Sequence, residues 1–205
     1  MKKKINKIIC VIDFGLGNLK SLKFKLNKIG IDCVISKSVK EIKKFDYFIL
    51  AGQGNFKQLD KKFNLKLKKI LDKKFKEKNT KFLGICLGMQ LFCEYSEESD
   101  SEGFGWIKGN VKKINGNFKT PIIGWQKCYL LKKIFEKNFF KKDFYFCHSY
   151  YLDNIEKKNI LAYSNYDNFK YVSAIFIKKK LLGTQFHLEK SYIQGLNLIK
   201  NFFYE

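Results

Sequence analysis

The chain has 205 residues, 45% hydrophobic and 17% aromatic, enough to bury a sizeable core within one domain spanning 1–205. No stretch approaches the ~20 uncharged apolar residues of a membrane span, and the opening MKKKINKIICVIDF has no signal-peptide cleavage site, so a cytoplasmic location is expected. The net charge of +22 comes from 41 lysines and no arginine, scattered from Lys2 to Lys200; without the guanidinium fork that reads base edges and grips phosphates, this argues for solvated faces over a nucleic-acid groove.

Residues 7–14 form a short apolar run with β-branched and aromatic content, predicted as a buried strand. Leu19, Leu22, Leu26 and Ile29 then recur at helical spacing behind Asn18, an N-cap type, and Gly30 stands at the expected stop. A second strand is predicted at 46–51, a lysine-faced helix at 65–78 and a third strand at 80–86. This alternation is the signature of a parallel α/β sheet. From Gly103 to Glu189 strand-like runs dominate (106–114, 121–131, 144–152, 160–164, 171–177 and 181–187), with a hairpin at 178–180 and a closing amphipathic helix over about 192–203. There is no internal repeat, linker or low-complexity boundary.

Gly84-Ile85-Cys86-Leu87-Gly88 sets a nucleophile type between two glycines, where an apolar strand gives way to a helix-like run from Met89 to Tyr95. A nucleophile elbow has this layout: a strained backbone presents the side chain above the sheet, and glycines admit the neighbouring chain. The following helix N-terminus would favour a thiolate. Taken singly, Cys86 is equally well a small buried core residue; a nucleophile also needs a base, and the chain has only two histidines.

His187 ends the apolar run 181–186 and precedes Glu189 by two positions, so an extended backbone puts both on one side and gives a Cys–His–acid arrangement. His148, inside the aromatic run 144–150, lacks a nearby carboxylate and is placed as a structural or substrate-lining residue. Ala51-Gly52-Gln53-Gly54 follows a buried strand, where backbone N–H groups could face an oxyanion. The six cysteines contain no CxxC pair, and neither a zinc site nor a disulfide framework is indicated.

Together these residues resemble the glutaminase subunits of imidazole glycerol phosphate synthase, within the class I (triad) glutamine amidotransferases. The likeness runs nearly end to end: Asp13 to Ser21, the Gly-Ile-Cys-Leu-Gly-Met-Gln of residues 84–90, Gly124-Trp125-Gln126, His148-Ser149-Tyr150 and residues 185–191. The resemblance implies a three-layer α/β sandwich, flavodoxin-like, with a mostly parallel central sheet and additional strands in the second half. It implies that Cys86 attacks the glutamine carboxamide to form a glutamyl thioester, that His187 shuttles protons and that Glu189 orients it. The backbone N–H groups of Leu87 and, after a loop adjustment, Gln53 would hold the oxyanions. Gly52, Gly54, Gln90, Glu98, His148, Ser149 and Tyr150 would line the glutamine site, with the adjacent Glu97 competing for the place of Glu98. Asn18 and Lys190 would face a (β/α)8-barrel cyclase that receives the ammonia and forms imidazole glycerol phosphate, in a heterodimer. No metal or organic cofactor is implied.

The sequence departs from the family pattern at Leu188, where the family has proline, at Ala51 and Gln53 in the oxyanion loop, and at Gln126 in place of asparagine. None removes a reacting group. Two other readings keep the same residues: a triad amidotransferase serving another synthase, and a non-enzymatic binding protein on the same fold.

Overall fold

The computed structural model describes residues 8–54, 61–132, 142–177 and 179–204, and the side chains of 61–64 lie outside that description, as does part of the hairpin expected at 178–180. The first half runs β1 (Ile9–Ile12), α1 (Leu19–Lys28), β2 (Cys33–Ser36), α2 (Val39–Ile42), β3 (Tyr47–Gly52), α3 (Lys61–Lys76) and β4 (Lys81–Cys86). Helix α1 begins where expected, with Asn18 accepting a hydrogen bond from the N–H of Ser21 at 3.1 Å. Gly30 follows its end at φ +75°, a conformation that costs glycine nothing. Strand β2 and the single turn α2 escaped the periodicity reading because β2 buries only its two ends, Cys33 and Ser36, and α2 buries only Ile42.

Every residue of β1 and β3 is buried. Central parallel strands are covered on both faces and therefore read as unbroken apolar runs. Their side chains still alternate by the strand's period of two. Ile9, Val11 and Ile49 join one core cluster, which also takes Leu19, Leu22 and Leu26 of α1, while Cys10, Ile12, Phe48 and Leu50 join another, which takes Leu67 and Leu71 of α3. The sheet is thus the middle of three layers. At ~1.5–3 kcal/mol for each fully buried large aliphatic or aromatic side chain, these two clusters are the main source of stability.

The second half continues with α4 (Leu87–Gln90), β5 (Tyr95–Ser96), β6 (Ser101–Glu102), β7 (Asn110–Lys113), β8 (Ile122–Gln126), β9 (Tyr129–Leu130), β10 (Phe144–His148), β11 (Tyr150–Asp153), β12 (Ile160–Tyr166), β13 (Phe169–Ile177), β14 (Leu181–Thr184) and α5 (Tyr192–Tyr204). Among the described residues the main sheet has the order β2-β1-β3-β4-β14-β13-β12-β9. Pairing is parallel from β2 through β14 and antiparallel from β14 to β9. Two smaller sheets, β10-β8 and β11-β7-β5-β6, flank it. No helix among the described residues is long and apolar enough to cross a membrane.

Candidate active site

Three adjacent parallel strands, β3, β4 and β14, stop together at their carboxyl ends. Their register sets Gly52 beside Cys86 and Thr184 beside Ile85. The crevice outside the carboxyl ends of an α/β sheet is where such folds bind ligands. Cys86 sits at that edge with φ 54° and ψ −110°, a left-handed backbone strained for a residue with a side chain. The flanking glycines make this turn feasible. A Cβ on Gly88 would lie 1.7 Å from the carbonyl oxygen of Leu50, and one on Gly84 would lie 2.6 Å from that of Gly88.

The helix expected from Met89 to Tyr95 is instead the single turn α4 over Leu87–Gln90. The carbonyls of Leu91, Phe92 and Cys93 are taken by the N–H groups of Phe104, Ile107 and Gly105, at 2.7, 3.0 and 2.9 Å, so the helix cannot continue. One turn has little macrodipole, and the helix-dipole argument for the thiolate lapses. The N–H of Leu87 still stands at the first helical position, where no intrahelical acceptor exists.

His187 and Glu189 meet, though by different geometry than an extended strand. β14 ends at Thr184, and residues Leu188–Lys190 form a 3-10 turn that folds the carboxylate back onto the imidazole. Nδ1 of His187 lies 2.9 Å from Oε1 of Glu189. A carboxylate only accepts, so Nδ1 carries the proton and Nε2 of the neutral ring keeps its lone pair. Nε2 is buried without a hydrogen bond and lies within electrostatic reach of Cys86. Burial alone would lower the pKa of His187; interaction with Cys86 and then with Glu189 outweighs it and holds the imidazole above its ordinary 6.5. Burial likewise opposes the Glu189 carboxylate, and the hydrogen bond from His187 keeps its pKa below the usual range.

The turn is pinned from several sides. The N–H of His187 donates to the carbonyl of Tyr145 at 2.8 Å. Ser191, fully buried, donates to the carbonyl of His187 at 2.6 Å and accepts from the N–H of Tyr145 at 3.0 Å. Lys25 of α1 donates to the Glu189 carbonyl. Leu188 is fully buried beneath α5, and its carbonyl oxygen sits where a Cβ on Gly195 would be, at 2.0 Å.

A cleft of about 410 Å³ opens at Cys86, lined by Gln53, Gly54, Leu87, Gln90, Glu98, Pro121, Cys147, His148, Ser149 and Tyr150. It gathers all the residues the resemblance assigns to glutamine and its oxyanion except Gly52. The two neighbouring glutamates are separated by direction. Glu97 accepts from the N–H of Lys113 on β7 at 3.0 Å, whereas Glu98 lines the cleft. His148 is held by Nδ1 donating to the Tyr150 carbonyl at 2.8 Å, and burial drives its pKa down to about 4, so it is neutral and unfit as a proton acceptor at neutral pH. A second cavity of about 90 Å³ is lined by Gly52, Gln53, Asn18, Lys25, His187, Glu189 and Lys190 among others. Asn18 and Lys190 therefore share a cavity with His187 and Glu189, distinct from the cleft at Cys86. Among the described residues no group of three His, Cys, Asp or Glu side chains is placed to hold a metal ion.

Sequence reasoning passed over Gln185, Ser191 and Lys25. Gln185 carried a signal: a polar residue in an apolar run, two positions before His187. Lys25 carried none, since nothing local separates it from the other lysines of α1.

The family model for glutamine amidotransferase class-I matches residues 10–205. The imidazole glycerol phosphate synthase subunit HisH of Oceanobacillus iheyensis is 38% identical over 199 residues, covering 95% of this chain and 98% of that protein. The subunit HisH 2 of Methanococcus maripaludis is 38% identical over 200 residues, with the same coverage. Among solved structures, a glutamine amidotransferase superposes with a TM-score of 0.71 at 14% identity, covering 95% of this chain and 96% of that one. PurLQS from Thermotoga maritima superposes with a TM-score of 0.68 at 15% identity, covering 95% and 96%. These two likenesses concern the fold.

Proposed function

The chain belongs to the class I glutamine amidotransferase family, and we propose that it is the glutaminase subunit of imidazole glycerol phosphate synthase, acting in histidine biosynthesis in the cytoplasm. The observation that carries the reading is the convergence of Cys86, on its left-handed elbow, with a His187 ring whose Nδ1–H is committed to Glu189.

In this reading glutamine enters the cleft at Gln90, Glu98, Ser149 and Tyr150. Nε2 of His187 takes the Cys86 proton, and Sγ attacks the carboxamide carbon. The tetrahedral oxyanion is held by the N–H of Leu87 and, once its loop turns, that of Gln53. His187 returns the proton to the leaving nitrogen, ammonia departs, and a glutamyl thioester remains. His187 then takes a proton from water, which attacks the thioester carbonyl; glutamate is released and the thiol is restored. Ammonia leaves toward the Asn18 and Lys190 side for a (β/α)8-barrel cyclase. The alternative reading, service to another synthase, is tested by affinity capture: stable binding to a cyclase barrel is expected, and preferential binding to a different synthase would refute the pathway assignment.

A further inference from the structure

We propose that Gln185 is a further catalytic residue: its side-chain amide donates a hydrogen bond to Sγ of Cys86 and holds the sulfur as a thiolate facing the cleft. This rests on the reading of Cys86 as the nucleophile. Nε2 of Gln185 lies 3.6 Å from Sγ, within the range of a sulfur hydrogen bond. The side chain is fully buried, so no water competes for the contact.

The direction of that bond follows from the bonds behind it. Nε2 of Gln90 donates to the carbonyl of Tyr150 at 3.2 Å and to Oε1 of Gln185 at 3.1 Å. A backbone carbonyl only accepts, so the Gln90 amide must present its NH2 group on that side. The Gln185 amide must then turn its oxygen to Gln90 and its NH2 to Cys86. One fixed carbonyl thus orients two amides in series. Sulfur meets the last of them as an acceptor, the role a thiolate fills better than a thiol. The opposing contact is the carbonyl of Cys147, 3.8 Å from Sγ, which suits the thiol form. Gln185 and the Cys147 carbonyl therefore pull the sulfur toward opposite protonation states.

The placement has a backbone cause. β14 ends at Thr184, paired with Ile85, so the next residue of that strand arrives beside the next residue of β4, which is Cys86. The N–H of Gln185 is fixed on the carbonyl of Ser173 at 2.9 Å, which aims the side chain across the strand ends. The other ionisable groups around Cys86 are His187 after β14 with Glu189 beside it, His148 and Cys147 on β10, and Glu98 and Tyr150 in the cleft wall, and none of them is hydrogen-bonded to the Gln185 side chain.

The test is site-resolved alkylation of Cys86 by iodoacetamide across pH, a reagent small enough not to need the glutamine contacts. Compared are the wild type, Gln185→Met, which keeps the shape and removes the donor, and Gln185→Glu, which puts an acceptor beside the sulfur. In Gln185→Met the curve is expected to move up by about one pH unit, with about tenfold slower alkylation on its acid limb, and further in Gln185→Glu. Superimposable curves for the three proteins would overturn the inference. Should Gln185→Met fail to fold, Gln90→Met, which frees the Gln185 amide to rotate, is expected to slow alkylation about threefold, and an unchanged rate there would overturn it equally. A wild-type Cys86 no more reactive than the half-buried Cys147 would instead refute the nucleophile assignment itself.

Discussion

Oε1 of Glu189 stands 2.9 Å from Nδ1 of His187, and that contact is made by a 3-10 turn whose backbone is tied to β10 and α1. The carboxylate selects the tautomer that leaves Nε2 free toward Cys86, and in the proposed mechanism it stabilises the imidazolium formed when the thiol gives up its proton. Glu189→Gln keeps the shape and loses both effects. It is expected to lower kcat for glutamine hydrolysis by roughly 10²–10⁴-fold, with little change in KM, by analogy with the loss of an acid from other triads. Steady-state kinetics check this, and an unchanged kcat would remove Glu189 from the triad.

The strain at Cys86 gives a stability prediction independent of activity. Its φ of 54° penalises any residue with a Cβ. Cys86→Gly should therefore be more stable than Cys86→Ala by about 1 kcal/mol in denaturant unfolding, with neither variant expected to hydrolyse glutamine. Equal stabilities would mean the elbow is not strained in solution.

Gly88 should tolerate no side chain. An added Cβ would sit 1.7 Å from the Leu50 carbonyl oxygen, a backbone atom of the central strand β3 that cannot move aside. Gly88→Ala is expected to cost at least about 3 kcal/mol in chemical denaturation, or to prevent folding.

His148 shapes the acid limb of the stability curve. Burial lowers its pKa from 6.5 to about 4 in the folded chain, so between those values the unfolded chain binds the extra proton. Stability is therefore lost as pH falls through that window, by about 3 kcal/mol in all. His148→Asn, which retains a donor toward the Tyr150 carbonyl, should flatten the decline between pH 6.5 and 4. Urea titrations at several pH values measure it, and an unaltered slope would contradict the assignment.

What was legible in the sequence was what local chemistry writes locally. The apolar runs that became β1, β3 and β4, the Asn18 cap and the glycine-flanked Cys86 all express constraints within a few residues. The short strands β2, β5 and β6 and the truncation of α4 were not legible, because tertiary partners fix them: the loop around Phe104 to Ile107 claims the carbonyls that would have extended α4. The His187–Glu189 pair was anticipated for the wrong reason, since spacing alone cannot separate an extended strand from a tight turn. Lys25 was invisible for a similar cause, as its partner lies 164 positions away.

In the proposed function Cys86 hydrolyses glutamine and answers to a cyclase partner. The most direct measurement is glutamate release from glutamine by the wild type and by Cys86→Ala, each alone and with the barrel subunit and its ligand. Release is expected to rise with the loaded partner and to vanish in Cys86→Ala under every condition. Equal release by the two proteins, or none from the wild type with the loaded partner, would contradict it.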